Sequence, residues 1–392
     1  MTERPKGSGT WRLRVYVGRD PGSDTPIQES RTFRGTETAA RRERAKLVAA
    51  VEGRVVEPNR ATVGQLLDRW VAHVEAIGKA RPKTVYEYRR KIDGRIRPVL
   101  GDIRLDKLRA DAIDNAYQRW LAEGLSPSTV AVYHSILHAA CRQAVKWGWI
   151  DRAPTDQATA PKPRSPEMKV PTPAQVATIV RSADADDPVL ATALALAALT
   201  GCRRGELCAL RWSDVDLVQG RIRISRSLTV VDGTSHEGPT KTHQARDISL
   251  DDVGVGILRK RREYMEDLSE RAGSPLAPDP YVLSYDAHGG RPVGPNTLTH
   301  RFKALCTRLE AAALEAARFE GRNVTEADRY PFHLHDLRHF SVTTLIADGV
   351  DIRTVAERHG HAQATMTLNR YAHALPERDR AAAGVLGRVL AP

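Results

Sequence analysis

The sequence predicts a multidomain, mainly α chain carrying small β-sheets, and three observations lead there. At 392 residues the chain exceeds what one hydrophobic core usually covers. Apolar residues recur at helical spacing from Thr62 to about Trp149 and again beyond residue 172, with period-two alternation confined to a few short stretches. Between those regions PTDQATAPKPRSPEMKVP, residues 154 to 171, holds five prolines in 18 residues and shows no apolar period.

The first element is WRLRVYV, residues 11 to 17, where Trp11, Leu13, Val15 and Val17 alternate with Arg12, Arg14 and Tyr16 as in a half-buried strand. A second strand is expected over IQESRTFR, residues 27 to 34, and then a basic helix from Glu37 to Glu52 stopped by Gly53. Residues 1–57 thus make a sheet-plus-helix domain. Residues 1 to 60 carry 13 Lys or Arg against 8 Asp or Glu. An exposed strand face with Arg12, Arg14 and either Arg31 or Arg34 suits a β-ribbon entering a major groove, or simply a solvated sheet face.

A helical domain is expected over residues 61–152. Thr62 is placed to cap a helix bearing Val63, Leu66, Leu67, Trp70, Val71 and Val74, and Pro82 and Thr84 open another with Val85, Tyr88 and Ile92. A long third or fourth helix starts at Ser126-Pro127 and ends near Gly148. Lys79, Arg81, Lys83, Arg89, Arg90 and Lys91 cluster around the second helix, either as phosphate contacts or as a solvated basic face. Residues 153–171 read as a linker. The third domain, 172–392, opens with a capping box of Thr172, Pro173 and Gln175.

A formal charge of +12 and a pI near 9.7 favour a polyanion such as nucleic acid as partner. The four cysteines, Cys141, Cys202, Cys208 and Cys306, show no CxxC pair and fit a reducing cytosol as buried small hydrophobes. MTERPKGSGT lacks an apolar signal segment, and the longest apolar run, Val189 to Leu199, is too short to cross a bilayer. These features predict a soluble cytoplasmic protein with no membrane partner.

Within the third domain an Ala/Leu helix, Pro188 to Thr200, stops at Gly201, and Cys202, Arg203, Arg204, Gly205 and Glu206 follow directly. GRIRISRS (220 to 227) and ARDISL (245 to 250) read as paired strands, with Lys241 in the polar turn between them. HLHDLRHF, residues 333 to 340, sets His335 three residues before Arg338, on one side of a helix begun by Asp336. Two helical segments, SVTTLIAD and DIRTVAERH, are punctuated by Gly349 and Gly360, and His361 and Tyr371 follow. The histidines match neither HExxH nor HxHxDH, and Arg338 among them repels a divalent ion, so no metal site is expected.

Arg203 in TGCRRGEL, Lys241 in PTKTHQARDISL, His335 and Arg338 in HLHDLRH, His361 in RHGH and Tyr371 in LNRYAH together resemble the active site of the tyrosine recombinases, the phage-integrase family. All six positions of that family's ordered pattern are filled. The resemblance implies an α+β catalytic domain, a helical core-site-binding domain before it and an arm-site-binding sheet domain at the N-terminus. It implies Tyr371 as nucleophile, Arg203 and Arg338 as phosphate clamp, His361 as a further donor, His335 as base and Lys241 as general acid. No cofactor is implied. Arg203 rather than its neighbour Arg204 takes the clamp position by alignment, while His339 is expected to support either the site or the fold and His333 to do neither.

The expected function is site-specific recombination of DNA attachment sites by a homotetramer, as the integrase of a phage or integrative element, with a host DNA-bending factor and an excisionase as further partners. The setting would be a bacterial cell, on the nucleoid. Rival readings are a type IB topoisomerase, a DNA-binding regulator of this fold without catalysis, and a metal-dependent nuclease.

Overall fold

The computed structural model describes residues 2–3, 8–19, 26–52, 61–163, 168–240 and 245–360. The chain divides into two units, Met1–Pro166 and Glu167–Pro392.

The first unit opens with a three-stranded antiparallel sheet, β1 (Thr2–Glu3), β2 (Thr10–Arg19) and β3 (Pro26–Arg34) in that order, followed by helix α1 (Glu37–Glu52). Leu13 and Val15 are buried with Ala40 of α1, and Trp11 and Phe33 pack against them. Register decides which arginines share a face. Thr10 pairs with Arg34, Arg12 with Thr32 and Arg14 with Ser30, so Arg12, Arg14 and Arg34 lie opposite the Leu13 face. Arg31 pairs with Leu13 and sits on the helix side, its guanidinium 3.4 Å from Glu43.

A second core in this unit is helical. Helix α2 (Val63–Ala76) starts at a capping box in which Thr62 and Gln65 satisfy each other's backbone N–H groups. Its Val63, Leu66, Leu67, Trp70, Val71 and Val74 are all buried. Helix α3 (Pro82–Lys91) runs through a π-helical turn, Ile92–Ile96, into the short α4 (Arg97–Leu100), burying Ile92, Ile96 and Leu100. Helix α5 (Ala110–Ala122) is not singled out above, because Asp111, Asp114 and Asn115 interrupt its apolar period. Ile113, Ala116, Tyr117 and Trp120 still form a buried stripe, and Trp120 meets Tyr133 of α6 (Pro127–Lys146) edge to face at 5.1 Å.

The expected linker is packed at its start. Ala153 and Thr155 are 3% and 2% exposed in a 3₁₀ turn, Ala158 packs on the same core, and Thr159 N donates to Asp114 at 2.7 Å. Proline there shapes a turn that closes the helical core rather than a free tether.

In the second unit α7 (Pro173–Asp186) begins at the Thr172–Gln175 capping box, and the Gln175 amide also donates to the carbonyls of Glu326 and Arg329. Helix α8 (Pro188–Thr200) is buried nearly all round, as an Ala/Leu sequence without a polar face must be. Around it pack α7, α9 (Arg204–Cys208), α10 (Asp252–Arg271), α11 (Pro295–Phe319) and α12 (Leu334–Ala347). Helix α13 (Ile352–His359) follows α12.

The small sheet runs β4 (Val215–Asp216), β5 (Arg221–Ile224), β8 (Arg246–Ser249), so the two strands expected to pair do so. The turn expected between them is a further hairpin, β6 (Arg226–Val231) and β7 (Thr234–Pro239), whose tip is Asp232-Gly233. Lys241 comes after β7 in the chain and, with Thr242, His243 and Gln244, lies outside the described residues. No helix among the described residues is long and apolar enough to cross a membrane. All four cysteines are free and buried, and burial pushes the Cys141 and Cys208 thiols up to about 12.

Candidate functional site

The site is built where α8 ends. Gly201 closes that helix with φ +60°, and a Cβ there would lie 2.2 Å from the His359 ring, so glycine alone lets α13 approach. Cys202 and Arg203 come next, and Arg203 begins α9. Its Nη1 donates to Glu206 Oε1 at 2.9 Å and its Nη2 to the Gly360 carbonyl at 2.8 Å. Arg338 enters from α12, only 3% exposed, its Nη1 on the Gly201 carbonyl at 2.5 Å and its Nη2 on the His359 carbonyl at 2.6 Å. From β8, Arg246 places Nε on the Arg358 carbonyl at 2.9 Å and Nη2 on Glu206 Oε2 at 2.7 Å.

Three consecutive carbonyls, of residues 358, 359 and 360, thus each accept a different guanidinium. They are the carbonyls that a helix C-terminus leaves without internal partners, at the negative end of its dipole. Gly360 closes α13 at φ +63° with the Arg246 guanidinium only 2.9 Å from where a Cβ would be. His361 is the next residue in the chain.

Glu206 holds the cluster together. Burial at 2% exposure opposes its charge, but hydrogen bonds and attraction from Arg246 and Arg203 outweigh that and hold the carboxyl below the usual range. Among the described residues Arg338 has no carboxylate bonded to it, only the two carbonyls. Burial, and then the positive charges of Arg203 and Arg246, push its guanidinium down to about 10. It stays charged at neutral pH, in surroundings that an incoming anion would improve. Burial also pushes the Cys202 thiol up, keeping it protonated beside these cations.

His335 is exposed on the first turn of α12 and lines a cavity of about 320 Å³ with Cys202, Arg204, Leu207 and Thr299. So His335 and Arg338 do face the same stretch, residues 201–204, as their spacing suggested. Asp336 accepts from the His333 backbone N–H at 2.7 Å and starts the helix. His339 is buried, its ring edge-on to His335 at 4.8 Å.

Of the six expected residues, the structure brings Arg203 and Arg338 together on neighbouring carbonyls, and His335 lies one helical turn before Arg338, in the cavity lined by Arg204; Lys241, His361 and Tyr371 lie outside the described residues. The approach to Lys241 is well fixed. Glu237 on β7 accepts from Arg211 at 3.1 Å and from the Tyr281 hydroxyl at 2.8 Å, Arg226 on β6 pairs with Asp214 at 2.6 Å, and Thr240 is buried. Two further residues of the cluster, Glu206 and Arg246, escaped the sequence reading. A signal existed: Arg246 shares the inward parity of Ile248 on β8, and an inward arginine demands a buried acid. Among the described residues no group of three or more His, Cys, Asp or Glu is placed to hold a metal ion.

The basic residues expected to meet DNA are in the first unit. Arg12 and Arg14 are exposed on one sheet face, and Lys79 and Arg81 are exposed ahead of α3, with Lys83 half-buried on its first turn. Arg89 pairs with Glu75 at 2.5 Å and Arg90 with Glu87 at 3.4 Å. Such exposed pairs are worth only about 0–1 kcal/mol, little obstacle to exchange for phosphate.

Residues 169–378 match the phage integrase family, and residues 62–121 match the N-terminal SAM-like domain of phage integrases. The ICEBs1 integrase of Bacillus subtilis is 24% identical over 392 residues, covering 100% of both chains. In fold, the chain is similar to the Tn1549 transposon integrase in complex with a circular intermediate DNA, with a TM-score of 0.67 and 22% identity over 83% of this chain and 99% of that one. A lambda integrase tetramer bound to a Holliday junction matches with a TM-score of 0.55 and 21% identity, over 88% and 93% of the two chains.

Proposed function

The chain belongs to the phage integrase family, whose members cut and rejoin DNA, and on that premise we propose that this site-specific recombinase works through Arg203, Lys241, His335, Arg338, His361 and Tyr371. The observation that carries the assignment is the binding of Arg203 and Arg338 to the two carbonyls directly before His361. Two permanently charged guanidiniums side by side, with one carboxylate between Arg203 and Arg246, suit a phosphodiester whose charge grows during attack.

Tyr371 Oη attacks phosphorus while His335 takes the phenol proton, which at an ordinary pKa near 10 would otherwise stay in place. The bond from phosphorus to the 5′ oxygen breaks, and Lys241 supplies the proton that oxygen needs. His361 donates to the same phosphate as the arginines. The 3′-phosphotyrosyl ester conserves the bond, so a different 5′ hydroxyl can reverse the step without ATP, and strands are exchanged.

Residues 1–57 are assigned to arm-type sites, with Arg12 and Arg14 as the reading face, and 61–152 to the core site, with Lys79, Arg81, Lys83, Arg89 and Arg90 on phosphates. Residues 172–392 are assigned to catalysis. The working assembly is a homotetramer on paired double-stranded attachment sites in the bacterial cytoplasm, at the nucleoid, integrating a phage or other mobile element. A host DNA-bending factor and an excisionase would set direction. A tetramer is what the lambda relative forms on a Holliday junction.

The test is covalent trapping on a nicked suicide core site. Wild type should give a protein–DNA adduct that survives denaturation and persists in EDTA, and Tyr371→Phe should give none. An adduct from the Phe variant would remove Tyr371 as nucleophile.

A further inference from the structure

Arg203 and Arg204 are neighbours in sequence, yet their guanidiniums go to different places. Arg203 is held by Glu206 and the Gly360 carbonyl, whereas Arg204 Nη1 donates to Thr299 Oγ1 on α11 at 2.7 Å. Arg203 is the extended cap residue and Arg204 the first residue of α9, so the backbone turns between them and the two side chains diverge. We infer that Arg204 holds a second DNA phosphate, next to the scissile one along the strand, from the cavity it shares with His335.

Charge accounting favours an anion from outside. Among the half-buried arginines of this unit, Arg203 and Arg246 meet Glu206, Arg211 meets Glu237 and Arg226 meets Asp214, whereas Arg358 donates to the carbonyls of Ser249 and Leu199. Arg204 is half-buried as well, but the one partner it has among the described residues is a neutral hydroxyl. Thr299 gives its own proton to the Pro295 carbonyl at 3.1 Å, so its oxygen can only accept from Arg204 and fixes the guanidinium in place. A partly desolvated cation with one neutral partner gains from an anion more than a paired one does.

The cavity suits a phosphate in size and lining. It measures about 320 Å³, its polar lining includes Arg204, Thr299, His333 and His335, and no Asp or Glu among the described residues lines it. His335 lines this cavity from the same helix that carries Arg338, three residues further on. A strand whose scissile phosphate lies at Arg203 and Arg338 would present its neighbouring phosphate here. The inference rests on that placement of the scissile phosphate.

The experiment replaces single phosphates of a core-site duplex by neutral methylphosphonates, at the scissile position and at each flanking one, and measures affinity with wild type, Arg204→Gln, Arg204→Lys and Arg203→Gln. At one flanking position the replacement should weaken wild type about tenfold and leave Arg204→Gln unmoved, with Arg204→Lys, which keeps the charge, intermediate. The salt dependence of Arg204→Gln binding should also be shallower by about 0.9 in slope, the value of one phosphate contact. Equal responses of wild type and Arg204→Gln at every flanking position overturn the inference, as does loss of coupling at the scissile position instead. Absence of coupling between Arg203→Gln and the scissile methylphosphonate would remove the clamp reading, a result independent of the flanking one. Matching thermal melts for the variants exclude misfolding as the cause.

Discussion

Glu206 is one carboxylate answering to two guanidiniums, at 2.9 Å from Arg203 and 2.7 Å from Arg246. Removing one partner of a buried ion pair typically costs about 3–5 kcal/mol, so Glu206→Gln should lower stability by about that amount at neutral pH in urea titrations. The sign with pH follows from its depressed carboxyl. Its contribution is present above the ordinary value of 4.5 and is lost as pH falls through the lower folded value, so the gap between wild type and variant should close on acidification. A gap that widened below 4.5 would contradict the assignment. At this scale the sequence showed Arg203, His335 and Arg338 through their order, because reactive residue types in a fixed sequence are rare. Glu206 and Arg246 were harder, since a short-range N-terminal acid and a strand arginine are common anywhere and acquire meaning only by meeting.

Helix α13 is held at its C-terminal carbonyls rather than by its length, having eight residues and three guanidiniums on its last exposed acceptors. Two substitutions probe this. Gly201→Ala meets the His359 ring in a left-handed backbone conformation and should cost about 3 kcal/mol, read as a lower urea midpoint. Gly360→Ala is less crowded, with the Arg246 guanidinium at 2.9 Å, and should cost about 1–2 kcal/mol while reducing adduct formation more than stability. Equal losses in both assays would argue that α13 is only structural. Elements with a strong start were legible: the cap at Thr62, the capping box at Thr172 and the Gly201 stop all stand where the sequence put them. The β6–β7 hairpin was not, because Arg226–Val231 runs on from β5 without a breaker and Thr234–Pro239 is exposed and polar.

For the whole molecule, the net charge of +12 predicts affinity that falls steeply with salt, with a slope proportional to the phosphates neutralised. A flat response in fluorescence titrations from low to physiological salt would contradict phosphate binding. Removing residues 1–57 should weaken binding to long DNA carrying accessory sites and leave cleavage of an isolated core duplex in place. Loss of core cleavage in that variant would instead tie the sheet domain to the catalytic step. The proline-rich stretch holds the point at which the chain divides into its two compact units, and Pro with a missing apolar period signals weak packing there. Where that stretch starts was not legible, because Thr155 is buried and Ala158 half-buried only through packing on the helical core that precedes them.

The end of α13 gathers three cations and one anion, an excess of two positive charges within a few residues. A phosphodiester at rest brings one negative charge and leaves the site electrically unfinished. The five-coordinate phosphorus of the transition state brings two, matching the excess of the described guanidiniums of Arg203, Arg246 and Arg338 over Glu206. Binding energy is thereby reserved for the point of highest energy on the reaction path. Vanadate bridging a gapped core site beside Tyr371 should accordingly bind more tightly than the intact phosphate, and Arg338→Gln should erase most of that preference.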